Sequence, residues 1–143
     1  MANFRYTVEI FAPPQQVWDT LIDVERWPAW TPTVLRVERL DSGPLALGSR
    51  TKLWQPQLMA AAWQVTELDP VTGLFTWQTG RPGVRVTGIH RVEAAPKSVT
   101  RLTLELNYGG LLGPLLARQL KALNWDYLTK EGQGLKARCE EFS

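Results

Sequence analysis

The residues from Gly110 to Glu141 read as one long helix, and that reading constrains everything before it. Leu112, Leu116, Leu120, Leu123 and Tyr127 recur at helical spacing and form one apolar stripe, while Arg118, Lys121, Asp126 and Lys130 fall largely on other faces. An amphipathic helix cannot bury its stripe alone. The residues before it read almost wholly as strands, so the expected partner is a curved sheet wrapped around the helix, an α+β arrangement. With 143 residues, 44% of them hydrophobic, the chain can build one domain over residues 1–143 with a sizeable core.

Phe4 to Phe11 alternates, with Tyr6, Val8 and Ile10 on one side and Arg5, Thr7 and Glu9 on the other, which predicts a first strand with one buried face. Ala12-Pro13-Pro14 breaks it. Proline is well tolerated in a first helical turn, so Pro14 to Ile22 reads as a short helix with Val17, Trp18, Leu21 and Ile22 inward. In Asp23 to Pro32, Trp27 and Thr31 each precede proline and are biased away from helix, giving a tight turn or a second, broken helix. Further strands are expected at Thr33 to Leu40, Ser49 to Gln55, Ala60 to Leu68, Leu74 to Thr79, Val84 to Ala94 and Ser98 to Tyr108. Their short connections predict an antiparallel meander, seven strands in all with the first.

Strand parity yields the inward residues. Val84, Val86, Gly88, His90 and Val92 share one face, as do Leu102, Leu104 and Leu106, and Phe75 with Trp77. Trp63 and Val65 are read as inward, although Ala60 to Ala62 sets no clear alternation. Gln64 and Thr66 replace them if that strand is turned over, and no carboxylate is placed clearly inside. Seven tryptophans are many for this length, and an indole suits either a packed core or the wall of an apolar cavity that needs an occasional donor.

Charge and motifs exclude several roles. Sixteen basic and 14 acidic residues, net +2, are spread without a basic stripe, so neither nucleic acid nor an anionic membrane surface is an expected partner. The longest apolar run, Leu58 to Trp63, is far too short to span a bilayer, and the N-terminus has no secretory pattern, so a cytoplasmic location is expected. Cys139 is the only cysteine and has no neighbours at metal-ligand spacing; no metal or cofactor is expected. Gly109-Gly110 with Gly113 does not have phosphate-loop spacing and reads as a sharp turn into the terminal helix. His90, the one histidine, faces valines. It is either a core residue satisfied by a backbone carbonyl, a polar contact for a ligand, or a neutral base, with Tyr108 its nearest candidate partner.

Ala12-Pro13-Pro14 with Val17-Trp18, then Asp23-Val24-Glu25-Arg26-Trp27-Pro28-Ala29-Trp30, resembles the start of the polyketide cyclase/dehydrase-like proteins called SRPBCC, within the START-like helix-grip superfamily. Gly48-Ser49, Trp63 to Leu68, Gly134-Leu135-Lys136 and Cys139-Glu140 agree with it, and the resemblance covers the whole chain. It implies a helix-grip fold with a deep pocket between sheet and helix for a hydrophobic small molecule such as a lipid, quinone or aromatic polyketide. The expected wall is Trp30, Trp54, Trp63, Trp77, His90, Leu104, Leu116 and Leu120. Two alternatives stay open: a cyclase or dehydratase in which His90 or Tyr108 handles a proton, and a protein-interaction domain. The expected state is a monomer or homodimer.

Overall fold

The computed structural model describes residues 2–141. In chain order it contains β1 (Ala2–Ile10), α1 (Pro14–Ile22), a 3-10 turn (Val24–Ala29), β2 (Arg36–Arg39), β3 (Arg50–Trp54), β4 (Ala61–Asp69), β5 (Leu74–Arg81), β6 (Val84–Ala95), β7 (Val99–Gly109), α2 (Gly113–Gln119) and α3 (Lys121–Glu141). The strands form one antiparallel sheet in the order β1-β7-β6-β5-β4-β3-β2. β1 therefore lies beside the last strand, with Tyr6 opposite Leu104, and α1 with the 3-10 turn carries the chain between the two edges of the sheet. This is the helix-grip arrangement of a curved sheet, two short helical pieces after the first strand, and a long terminal helix.

The alternation in β1, β5, β6 and β7 places Ile10, Phe75, Val92 and Leu102 in the buried core as parity requires. β2 is shorter than its apolar pattern predicts. Thr33 is committed elsewhere: its backbone N–H donates to Thr31 Oγ1, so the ladder begins only at Leu35, whose N–H donates to Trp54 O. β4 and β5 shift register between Val65 and Glu67, a bulge that leaves Thr66 outside the pairing.

The terminal helix is two helices rather than one. At Leu120 the backbone relaxes to φ −101°, ψ 14°, while Leu120 N–H still donates to Leu116 O and Asn124 N–H to Leu120 O, so the rod bends without losing those bonds. Leu112 drops out of the stripe altogether. It sits ahead of α2, half exposed, against Gly83. The chain reaches that point through Gly110 at φ +85°, a backbone conformation natural to glycine.

α3 buries Asn124, Tyr127, Leu128, Gly132, Leu135 and Cys139. Its C-terminal half is pressed hard onto its neighbours: a Cβ on Gly132 would overlap the Tyr6 ring, and one on Gly134 would overlap the carbonyl oxygen of Trp30. Leu135, 1% exposed, fills the same seam, and truncating such a side chain costs about 2–5 kcal/mol. Helix propensity alone would reward Gly134→Ala by about 1 kcal/mol. The overlap with backbone outweighs this, and Gly134→Ala is expected to lower stability in urea unfolding by about 1–3 kcal/mol. A net gain would mean that α3 does not sit this close.

Candidate functional site

Between the N-terminal half of α3 and the strands lies a cavity of about 350 Å³. Small-molecule sites fall in this size class and are walled mainly by apolar and aromatic groups with a few polar ones. The floor is a row of rings. Trp27 stands 5.2 Å from Trp77 and 5.8 Å from His90, and Trp77 stands 5.7 Å from Trp63, centroid to centroid. The row is rigid. Trp27 is pinned by its Nε1–H donating to Leu21 O at 2.9 Å, and Trp77 packs on Gly88, where an added Cβ would come within 3.2 Å of its ring. Leu104 completes this wall, while Leu116, Leu120, Leu58 and Met59 flank the mouth, where Met59 is 71% exposed.

His90 is buried, stacked on Phe75 at 4.6 Å, and its Nδ1 lies 2.8 Å from Phe75 O. A carbonyl can only accept, so Nδ1 carries the proton and Nε2 keeps a lone pair. Burial lowers the His90 pKa from 6.5 to about 4, opposed only in part by the bond to Phe75 O, so the ring is neutral at pH 7.

A carboxylate faces the cavity after all. Glu131 borders it, and burial raises its pKa from 4.5 to about 7 against the opposing bond from Thr33. Thr33 donates its hydroxyl proton to Glu131 Oε1 at 3.2 Å, so the 2.9 Å contact between Thr31 and Thr33 hydroxyls is a donation from Thr31. Both threonines are buried, at 2% and 1% exposure, which makes this a fixed support behind the carboxyl group. Tyr108 donates to Asn124 Oδ1 at 3.0 Å, joining β7 to α3 across the cavity wall. Tyr127 donates to Pro56 O and ties α3 to the loop between β3 and β4, which supplies Gln55, Leu58 and Met59 to the mouth.

The cavity brings together Trp63, Trp77, His90, Leu104, Tyr108, Leu116 and Leu120. Trp54 and Trp30 require correction. Trp54 lies on the opposite face of β3 from buried Leu53, clasped between the Arg36 guanidinium at 4.4 Å and the Lys52 ammonium at 4.9 Å. Trp30 packs behind Trp27 at 5.6 Å and against Gly134, one layer away from the cavity. Gln64 and Thr66 also face elsewhere, with Gln64 donating to Gly48 O and Thr66 to Thr76 O. Glu131, Asn124 and Trp27 went unanticipated. The signal for Glu131 was present in the helix: Tyr127, Glu131 and Leu135 follow at intervals of four, which places the acid on the buried face.

His90 and Glu131 act on stability with opposite sign. Between pH 4.5 and 7 the folded chain holds a proton on Glu131 that the unfolded chain releases, so this contribution is full below pH 4.5 and lost as pH rises through 7. Between pH 6.5 and 4 the unfolded chain binds a proton that folded His90 refuses, so stability falls as pH drops through that window. Glu131→Gln removes the first effect. Relative to the unsubstituted chain it is expected to gain on the order of 2–3 kcal/mol as pH rises from 4.5 to 7, read by urea unfolding across pH. A stability difference that does not vary with pH would show that the carboxyl group titrates normally.

Solved structures with this fold include a hypothetical protein from Helicobacter pylori, with TM-score 0.83, 14% identity and coverage of 96% of this chain and 88% of that one. The Zhui aromatase/cyclase from Streptomyces sp. R1128 has TM-score 0.79 at 22% identity, covering 97% and 93%. A protein from Thermus thermophilus has TM-score 0.78 at 20% identity, covering 99% of each chain. At these identities the likeness is one of fold. No curated protein matches the sequence. A family model does, over residues 1–140, and the chain belongs to the family described as polyketide cyclase / dehydrase and lipid transport.

Proposed function

We propose that the protein encloses one apolar, ring-bearing small molecule between α3 and the sheet, of the class of quinones and aromatic polyketides. The observation that carries this reading is the cavity itself: about 350 Å³ walled by Trp27, Trp63, Trp77 and leucines, with His90 and Glu131 at its edge each held by a partner in the scaffold. Apolar enclosure supplies affinity, flat indole faces favour flat guests, and isolated polar groups supply orientation. The tryptophan row is a built-in reporter. Titration with fatty acids, quinones and aromatic polyketides, followed by intrinsic fluorescence and native mass spectrometry, should give one-to-one binding strongest for the ring compounds. Leu116→Trp, a half-buried position at the mouth, should keep the fold and weaken that binding. If no panel member perturbs the fluorescence or adds mass, the reading fails.

A second reading, as a cyclase or dehydratase, is favoured by a specific pairing. Glu131, with its pKa near 7, keeps a proton on about half of the molecules at neutral pH, while neutral His90 offers a lone pair, and both border one cavity. Two groups with pKa values pushed apart in this way are the means by which acid and base work together at neutral pH. His90 would remove a proton beside a substrate carbonyl as Glu131 protonates a departing hydroxyl, releasing water and forming a carbon–carbon double bond. The check is product analysis with a β-hydroxy ketone substrate. Dehydration should be lost in His90→Gln and in Glu131→Gln, and undiminished turnover in both would remove the mechanism.

A further inference from the structure

We propose that the exposed border of the cavity docks on the surface of an anionic lipid bilayer, with Leu111, Leu112 and Leu115 entering it and Arg118 and Lys121 meeting its headgroups. This goes beyond the binding reading and does not depend on it. Three pieces of chain meet at that border: the loop between β3 and β4, the turn between β5 and β6, and α2 with its lead-in. Met59 and Arg81 are exposed and both border the cavity, so the cavity comes to the surface there. Leu112 N–H donates to Gly83 O at 2.9 Å, which seats the lead-in to α2 on the turn that carries Arg81. Leu116 borders the cavity, and Leu115 beside it faces solvent.

Leu111 is 92% exposed, Leu112 49% and Leu115 54%. Single exposed leucines are ordinary, but a cluster on one turn marks a contact surface. Gly113, in their midst, is buried against the backbone of Tyr108, so the turn is anchored to the body while its leucines stand off it. The charge around them is one-sided. Spacing along the sequence argues against an anionic surface, yet the fold gathers segments that lack acids: no Asp or Glu occurs in residues 42–66, 70–92 or 106–125, which supply the loop, the turn and α2. Arg81, Arg85, Arg118 and Lys121 are exposed there, and none is in an ion pair among the described residues. Of the two acids that border the cavity, Glu105 is paired with Arg5 at 3.0 Å and Glu131 accepts from Thr33. Protruding leucines flanked by bases suit an interface whose outer layer is anionic and whose interior is hydrocarbon, because apolar insertion and headgroup attraction add. A folded protein would have to offer a hollow for each leucine, whereas a fluid bilayer moulds itself to them. For a guest of the class proposed above, such docking brings the cavity against the lipid and spares it a passage through water.

The test is cosedimentation of the full chain with vesicles of phosphatidylcholine alone and of equimolar phosphatidylcholine and phosphatidylserine. Binding is expected to the anionic vesicles, to weaken as salt is raised, and to be lower by about tenfold or more on phosphatidylcholine alone. Arg118→Glu/Lys121→Glu should lower partitioning by roughly 30-fold, at about fivefold for each base lost. Lys97→Glu/Arg91→Glu, which makes the same change in net charge toward the opposite end of β6, should leave it within about twofold. Leu111→Ser/Leu115→Ser should weaken binding by about tenfold. All of these positions are exposed, and unchanged thermal unfolding checks that each variant keeps the fold. No binding to the anionic vesicles overturns the proposal and leaves the face to a protein partner or a second copy of the chain. Equal losses from the two charge reversals, or undiminished affinity in the leucine variant, overturn it as well. None of these results bears on whether the cavity holds a guest, which the fluorescence titration reads separately.

Discussion

The structure depends on how closely the second half of α3 can approach β1 and the 3-10 turn. Gly132 and Gly134 remove the two side-chain stubs that would hold the helix off, and Leu135 and Cys139 are buried along the same stretch of helix. Once that end is clamped, the other end has no freedom to fall inward. The indole row and the bend at Leu120 keep α2 and the start of α3 standing over the sheet, and the space between them is a consequence of geometry rather than of missing side chains. Proteins ordinarily fill their interiors to crystalline density. Here rigid rings that buttress one another resist that tendency.

The polar groups facing this space follow a common pattern. Three of them are held from behind by a partner in the scaffold: His90 by Phe75 O, Glu131 by Thr33 and Thr31, Asn124 by Tyr108. Backing of this kind fixes the direction of each side chain. It also explains why a carboxylic acid can be kept inside at all. Desolvation raises its pKa to about 7, so below that pH the cost of desolvating a charge is avoided by holding a proton.

Most of the fold was legible in the sequence, because period-two alternation in β1, β5, β6 and β7 and the proline and glycine stops state the strands almost directly. The inward set His90, Leu104 and Trp77 followed from parity alone. What parity could not supply was curvature and depth. Trp54 has the composition of a wall residue, yet it stands one position from Leu53 and so points to the far face, where two cations cover it. Trp30 points toward the helix but is screened by Trp27. Glu131 escaped notice for another reason: charge on a helix is ordinarily read as solvent-facing, and only its interval of four from Tyr127 argued otherwise. The bend at Leu120 has no proline or glycine to announce it, since it arises from tertiary seating.

The bond from Tyr127 to Pro56 has a kinetic meaning beyond its place in the cavity rim. It joins the loop between β3 and β4, whose Leu58 and Met59 border the cavity, to the helix through the Tyr127 hydroxyl. A neutral hydrogen bond that is exchanged for water yields a net of only about 1 kcal/mol. Loosening this strap is therefore a local event that leaves the clamped half of α3 untouched, and its frequency is uncoupled from global unfolding. For the guest proposed above, exchange would then turn on this loop rather than on the packing of the core.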